Sequence, residues 1–266
     1  MCSGAFRGKV AIPLPETQGA EMAAFSDQLG ELWRGFGEIA KAPGWTPQQD
    51  TDYVRRIAAS ITGYVVERLN DHPPPQAETL ELELNRVTTQ VFDGLPFDAM
   101  KRQNPGWQGF AHALQTFGPS TDLYAVAVTI GPGNTPWNLI EAFGSRGGKY
   151  ESVASIGDDF KNRRLRIFNL RPFEPQELRF LVSGLYIGSP EGLSKVAVYS
   201  FDGQRLRMLW QDASVPNAQI SFSGTNLTIS SYDSVAGKRP WISTLRTYAQ
   251  VDAGLRLVGV EHRTVQ

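Results

Sequence analysis

The sequence predicts an α+β chain: an N-terminal amphipathic helical bundle or set of helical hairpins, then an antiparallel β-meander domain. Three observations carry this. Up to about residue 118 apolar residues recur at three- and four-residue steps, the spacing of a helical face. After Pro119 the apolar period drops to two, the spacing of a strand with one face inward. The second region also contains a faint internal echo, described below.

Residues 1–18 show little periodicity and read as a tail or linker. From Gly19 a first helix places Met22, Phe25, Leu29, Leu32, Trp33, Phe36, Ile39 and Ala40 on one side. It should stop at Pro43-Gly44, because proline lacks an amide donor and glycine favours helix ends. A second helix opens on "TPQQ", where Thr46 suits the N-cap, Pro47 the first turn and Gln49 a capping box. It ends before Pro73-Pro74-Pro75. A third fits Ala77–Asp93, and a fourth, after Asn104-Pro105, would carry Trp107, Phe110, Ala111, Leu114 and Phe117. Together these define a helical domain over 19–118 and a β domain over 119–266.

Eleven strands follow: Leu123–Ile130, Trp137–Phe143, Tyr150–Ile156, Leu165–Leu170, Leu178–Ile187, Lys195–Phe201, Arg205–Trp210, Gln219–Phe222, Asn226–Tyr232, Thr244–Val251 and Leu255–Glu261. "FDGQ" at 201–204 is a hairpin turn, with "SGTN" at 223–226 and "DAG" at 252–254 as weaker versions. The echo relates the segment from Asp122 to the one from Glu177: strand, Gly/Pro turn, strand ending at Phe, Gly-containing hairpin, strand. Such units resemble two propeller-blade-like repeats, or the halves of a sandwich. Two are too few to close a propeller, so their faces need another cover, from the helices or from a partner.

Composition narrows function by exclusion. The chain has 266 residues, 26 Lys+Arg against 27 Asp+Glu, one Cys and three His. Balanced charge argues against nucleic acid as a partner of the whole chain. One cysteine excludes an internal disulfide and CxxC chemistry. His72, His112 and His262 fall in no metal-ligand spacing, so no metal or cofactor is expected. No P-loop, nucleophile elbow or dinucleotide fingerprint occurs. Asp158-Asp159 lacks calcium-loop spacing, and Glu81 and Glu83 read as solvent-facing residues of the third helix.

Three features remain as candidate sites. Cys2, followed by small residues and then a Pro- and Gly-containing stretch, resembles the lipidated start of a mature bacterial lipoprotein, which would place the chain on an extracytoplasmic membrane surface; without lipidation a cytoplasmic location is expected. The lipobox that precedes such a cysteine is missing. The run "KNRRLRIFNLR" supplies Lys161, Arg163, Arg164, Arg166 and Arg171, with Arg164 and Arg166 on one strand face opposite Leu165 and Ile167. This is either a docking patch for an acidic partner, anionic lipid head groups or RNA, or an edge strand kept from aggregating by charge. A third reading comes from the charge of the two regions, which is 10 basic against 14 acidic before residue 118 and 16 against 13 after it; the two could attract each other. Finally Trp137, Trp210 and Trp241 are either core or an aromatic ligand platform. The function expected from this set is a non-catalytic interaction or scaffold subunit of a larger complex, with bacterial membrane-surface attachment through Cys2. The alternatives are a hydrolase with a site at the helix–sheet junction, or a carbohydrate- or small-ligand-binding module.

Overall fold

The computed structural model describes residues 16–39, 47–71, 73–93, 110–116, 122–130, 137–160, 163–186, 193–223, 226–233 and 241–265. Three helices come first: α1 (Glu16–Ile39), α2 (Pro47–Leu69) and α3 (Ala77–Asp93). Twelve strands follow: β1 (Phe110–Thr116), β2 (Leu123–Ile130), β3 (Trp137–Arg146), β4 (Lys149–Ser155), β5 (Arg163–Asn169), β6 (Leu178–Tyr186), β7 (Leu193–Phe201), β8 (Leu206–Pro216), β9 (Gln219–Ser223), β10 (Asn226–Asp233), β11 (Trp241–Val251) and β12 (Gly254–Val265). A 3₁₀ turn, Gly157–Phe160, follows β4.

The strands form three four-stranded antiparallel sheets, β1–β2–β3–β4, β5–β6–β7–β8 and β12–β11–β10–β9. Each is a meander of consecutive strands. The echo therefore marks two members of a set of three: β2–β4 correspond to β6–β8, and the third sheet repeats the plan.

Side-chain alternation stacks the layers. On β2, Tyr124, Val126 and Val128 pack with Phe25, Ile61, Val65, Leu80 and Leu84 of the helices. Leu123, Ala125 and Ala127 point the other way, into a core shared with Phe180 and Val182 of the second sheet. Leu181 faces opposite to its neighbours and joins Leu227, Ile229 and Tyr248 of the third sheet. The order is helices, first sheet, second sheet, third sheet. The central strands β6 and β7 of the middle sheet are buried on both faces, which accounts for their near-continuous apolar runs.

The helical phases follow the predicted ones. Met22, Phe25 and Leu29 are buried on α1, and Phe25 stacks on Tyr64 of α2 with ring centroids 4.1 Å apart. The fourth helix is corrected: Phe110–Thr116 is β1, paired from Phe110↔Thr129 to Thr116↔Leu123, while the rest of that prediction lies outside the described residues. Spacing alone fits both states over seven residues. Tertiary bonds decide it, because α3 serves the strand's open side. Asn85 donates to the Ala111 carbonyl (2.8 Å) and accepts its N–H (2.9 Å), and Glu81 accepts the Ala113 N–H (3.0 Å). The other edge gets similar treatment from Asn70, bonded to both the N–H and the C=O of Tyr150 in β4. Edge groups that would template another chain are thus satisfied from within.

The predicted turns join paired strands. In β7–β8 the Asp202 carboxylate accepts the N–H groups of Gln204 (2.9 Å) and Arg205 (2.7 Å). In β11–β12, Gly254 has φ +117°, and a Cβ there would lie 2.7 Å from the Trp210 Cβ. Only glycine meets both demands.

Candidate functional site: the open edge of β5

β5 is the first strand of the middle sheet, and among the described residues no strand pairs with its outer side. Its Leu165 and Ile167 are buried toward the first sheet, as alternation requires. Arg166 is exposed and points into a groove of about 700 Å³. The groove walls come from Thr129 of β2, Leu165–Phe168 of β5, Ser183 and Leu185 of β6, and the β8–β9 connection at Asn217–Ile220. Arg166 is the one charged side chain among them. Phe168 of this lining meets the exposed Phe222 with ring centroids 5.7 Å apart. Asn217 holds the connection in the left-handed region (φ 44°), a conformation asparagine tolerates better than most residues. Ala218 N–H donates to the Ser194 hydroxyl at 3.0 Å. One cation, four neutral polar side chains and an apolar lining equip the groove to hold an anionic, partly apolar ligand.

The basic run is only partly gathered here. Arg163 and Arg164 occupy the first two positions of β5, and Lys161 lies outside the described residues. Arg171 is exposed beyond the other end of the strand, its N–H donating to Gln250 Oε1 at 3.0 Å. The tryptophans are distributed: Trp137 begins β3 of the first sheet and Trp241 begins β11 of the third. Trp210 is half-buried between the second and third sheets, edge-on to Tyr248 at 5.5 Å. Cys2 and His72 lie outside the described residues. His112 is a β1 position, and His262 is exposed on β12, its Nδ1 3.1 Å from the Thr244 hydroxyl. Two sheets therefore separate His262 from the helix–sheet junction. Among the described residues no group of three metal-ligating side chains occurs and no helix is long and apolar enough to cross a membrane.

Glu81 and Glu83 are corrected. Glu81 is half-buried on the β1 edge, as above. Glu83 is buried and takes a two-pronged bond from Arg68 (Nε 3.0 Å, Nη2 2.9 Å) and a third from the Tyr64 hydroxyl (3.1 Å). Arg68 also binds Asp71. Glu83 shares the buried face of α3 with Leu80, Leu84 and Val87, at i, i+3 and i, i+4 spacing, so a charge there must be paired. Burial, with the Glu83 charge beside it, holds the Tyr64 hydroxyl well above its usual range. This ion pair joins helix to helix, while the helices meet the first sheet through apolar side chains and through the hydrogen bonds of Asn70, Glu81 and Asn85.

Three more buried ionisable residues, Glu141, Glu177 and Arg179, escaped the sequence. Glu141 of β3 faces the helices and accepts the Thr62 hydroxyl at 2.8 Å; burial pushes its carboxyl up, against the hydrogen bonds from Thr62 and Ser152. Arg179 of β6 is 2% exposed and ties the middle sheet to the β11–β12 hairpin, donating to the carbonyls of Val251 (2.8 Å) and Asp252 (3.0 Å). Its Nε is bonded to Glu177 at 3.0 Å. Burial acts to raise the Glu177 carboxyl, and hydrogen bonds from Ser200, the Phe173 N–H and Arg179 outweigh it, leaving the group below its usual range. The available signal was the Glu177–Arg179 spacing, two residues apart on one strand face. Compared with protein-family models, with curated proteins and with solved structures, the chain matches none.

Proposed function

We propose that this chain is a non-catalytic interaction subunit that receives an extended, acidic segment of a partner protein along the outer edge of β5. The observation that carries the reading is the contrast between two first strands. The β1 edge is served by Asn85 and Glu81, whereas among the described residues the β5 edge has no strand beside it and borders a groove whose one charge is Arg166. A strand added to such an edge gains main-chain hydrogen bonds, and alternate side chains enter the groove. Arginine recognises carboxylates well because its donors form a planar fork.

A labelled decapeptide of alternating Glu and Val, followed by fluorescence anisotropy, tests this. Binding should weaken with added salt and fall by at least about tenfold in Arg166→Glu, since reversing a charge turns attraction into repulsion. Equal binding of a Lys/Val peptide, unchanged affinity in the variant, or no binding at all would each overturn the reading.

A further inference from the structure

Among the described residues β12 is the least covered strand, and it is also an edge. Leu255 near its start is buried, but every residue from Arg256 to Thr264 is exposed. Leu257, Val258 and Val260 are 50%, 51% and 51% exposed, and Ile242 on the neighbouring β11 is 48% exposed. Residues 256–264 include no proline and no lysine, two of the common devices that protect a free edge. Apolar side chains left exposed along an open strand call for a cover.

We propose that the cover is a second copy of this chain, its β12 lying antiparallel to the first about a two-fold axis between Val258 and Gly259. The proposal is carried by the register and is independent of the β5 groove. Tyr248 pairs with Leu257 and Thr247 with Gly259, so Val258 is an extra residue, a bulge in β12. Across that bulge the faces change phase. Leu257 and Val260 stand opposite Tyr248 and Arg246, on the side facing the second sheet. Arg256 and Glu261 stand opposite Ala249 and Leu245, on the outer side.

An isologous interface must be self-complementary, and in this register it is. Arg256 falls opposite Glu261 of the second copy, on the same face. Leu257 falls opposite Val260 of the second copy, and the axis repeats both pairs. Val258 meets Gly259, where a Cβ would find nothing within 4 Å, so the bulges have room. Glu261 already accepts Arg263 of its own chain (2.7 and 3.0 Å), and Arg256 joins that outer-face cluster. Sliding the copies by two residues toward the C-terminus would instead set Arg256 against Arg263, a like-charge pair, and sliding them the other way would set Arg256 against Gly259 and lose its pairing with Glu261. The result is one eight-stranded sheet with four apolar side chains joined on its inner side.

Sedimentation velocity on the full chain over a concentration series tests the pairing. A monomer–dimer equilibrium is expected. Val260→Lys should raise its dissociation constant at least about a hundredfold, since an unpaired charge at the centre of an interface is costly. Arg256→Glu should also break the dimer, and Arg256→Glu combined with Glu261→Arg should restore it. All these positions are exposed, so the variants should fold, and circular dichroism is the check. Arg166→Glu should leave the dimer unchanged, which separates this result from the groove reading. A monomer at every soluble concentration, or a dimer that survives Val260→Lys, overturns the proposal; so does a double variant that stays monomeric.

Discussion

The outer faces of the first and third sheets belong to the same four-stranded plan and meet opposite surroundings. On the first sheet, Tyr124, Val126, Val128, Leu139 and Phe143 face outward and are buried under α2 and α3. On the third, the corresponding outward positions include Ser221, Thr228, Ser230 and Thr247, with Arg256, Glu261 and Arg263 on β12. Among the described residues nothing packs on that face. Backbone geometry does not distinguish the two ends of the stack. Side-chain alternation does: an apolar face requires cover to remove it from water, and a face of hydroxyls and paired charges is satisfied by water. Helices are needed at one end only.

If that contrast is right, the largest losses come from the covered end. Arg68→Ala should cost about 3–5 kcal/mol in urea unfolding, because it leaves Glu83 buried and uncompensated. A loss no larger than that of a surface residue would show that water reaches the helix layer, and the contrast would fail. A second effect is visible in the pH dependence. The Glu141 carboxyl is raised in the folded chain, so the folded state holds its proton more tightly than the unfolded state does. Stability then falls as pH rises from the unfolded carboxyl value through the folded one, and stays reduced above it. Glu141→Gln keeps an acceptor for Thr62 and removes the titration. Its advantage over the parent should grow with pH across that window, in thermal melts at stepped pH; a constant difference would mean that Glu141 is not desolvated by the helices. The smallest effect belongs to the open end, where Thr228→Ala should change stability by no more than about 0.5 kcal/mol. A larger loss would reveal an unseen cover on the third sheet.

Much of the fold was legible. α2 starts at Pro47 and α3 spans Ala77–Asp93, as the cap and breaker residues indicate, and each of the eleven expected strands occurs. Local rules suffice there because proline, glycine and apolar period act within a few residues. β1 was not legible, since Phe110, Ala111 and Leu114 satisfy a helical spacing and only Asn85 and Glu81, some 26 and 32 residues away, commit them to a strand. The third sheet was hidden as a repeat because its Ser- and Thr-rich strands share little with the apolar strands of the other two. At the candidate site, Arg166 and its burial partners Leu165 and Ile167 were readable from alternation. The groove beside them was not, because its far wall is the β8–β9 connection, more than fifty residues on.

The sequence by itself determined the elements, the turns and the face each strand buries, since these follow from backbone propensity and side-chain period. Only the tertiary structure decided the partners: which charge is buried beside which, which edge a helix serves, and which edges at β5 and β12 are left open. Those outcomes depend on contacts between residues far apart in the chain, and a buried ion such as Arg179 is tolerable only where the carbonyls of Val251 and Asp252 arrive to meet it.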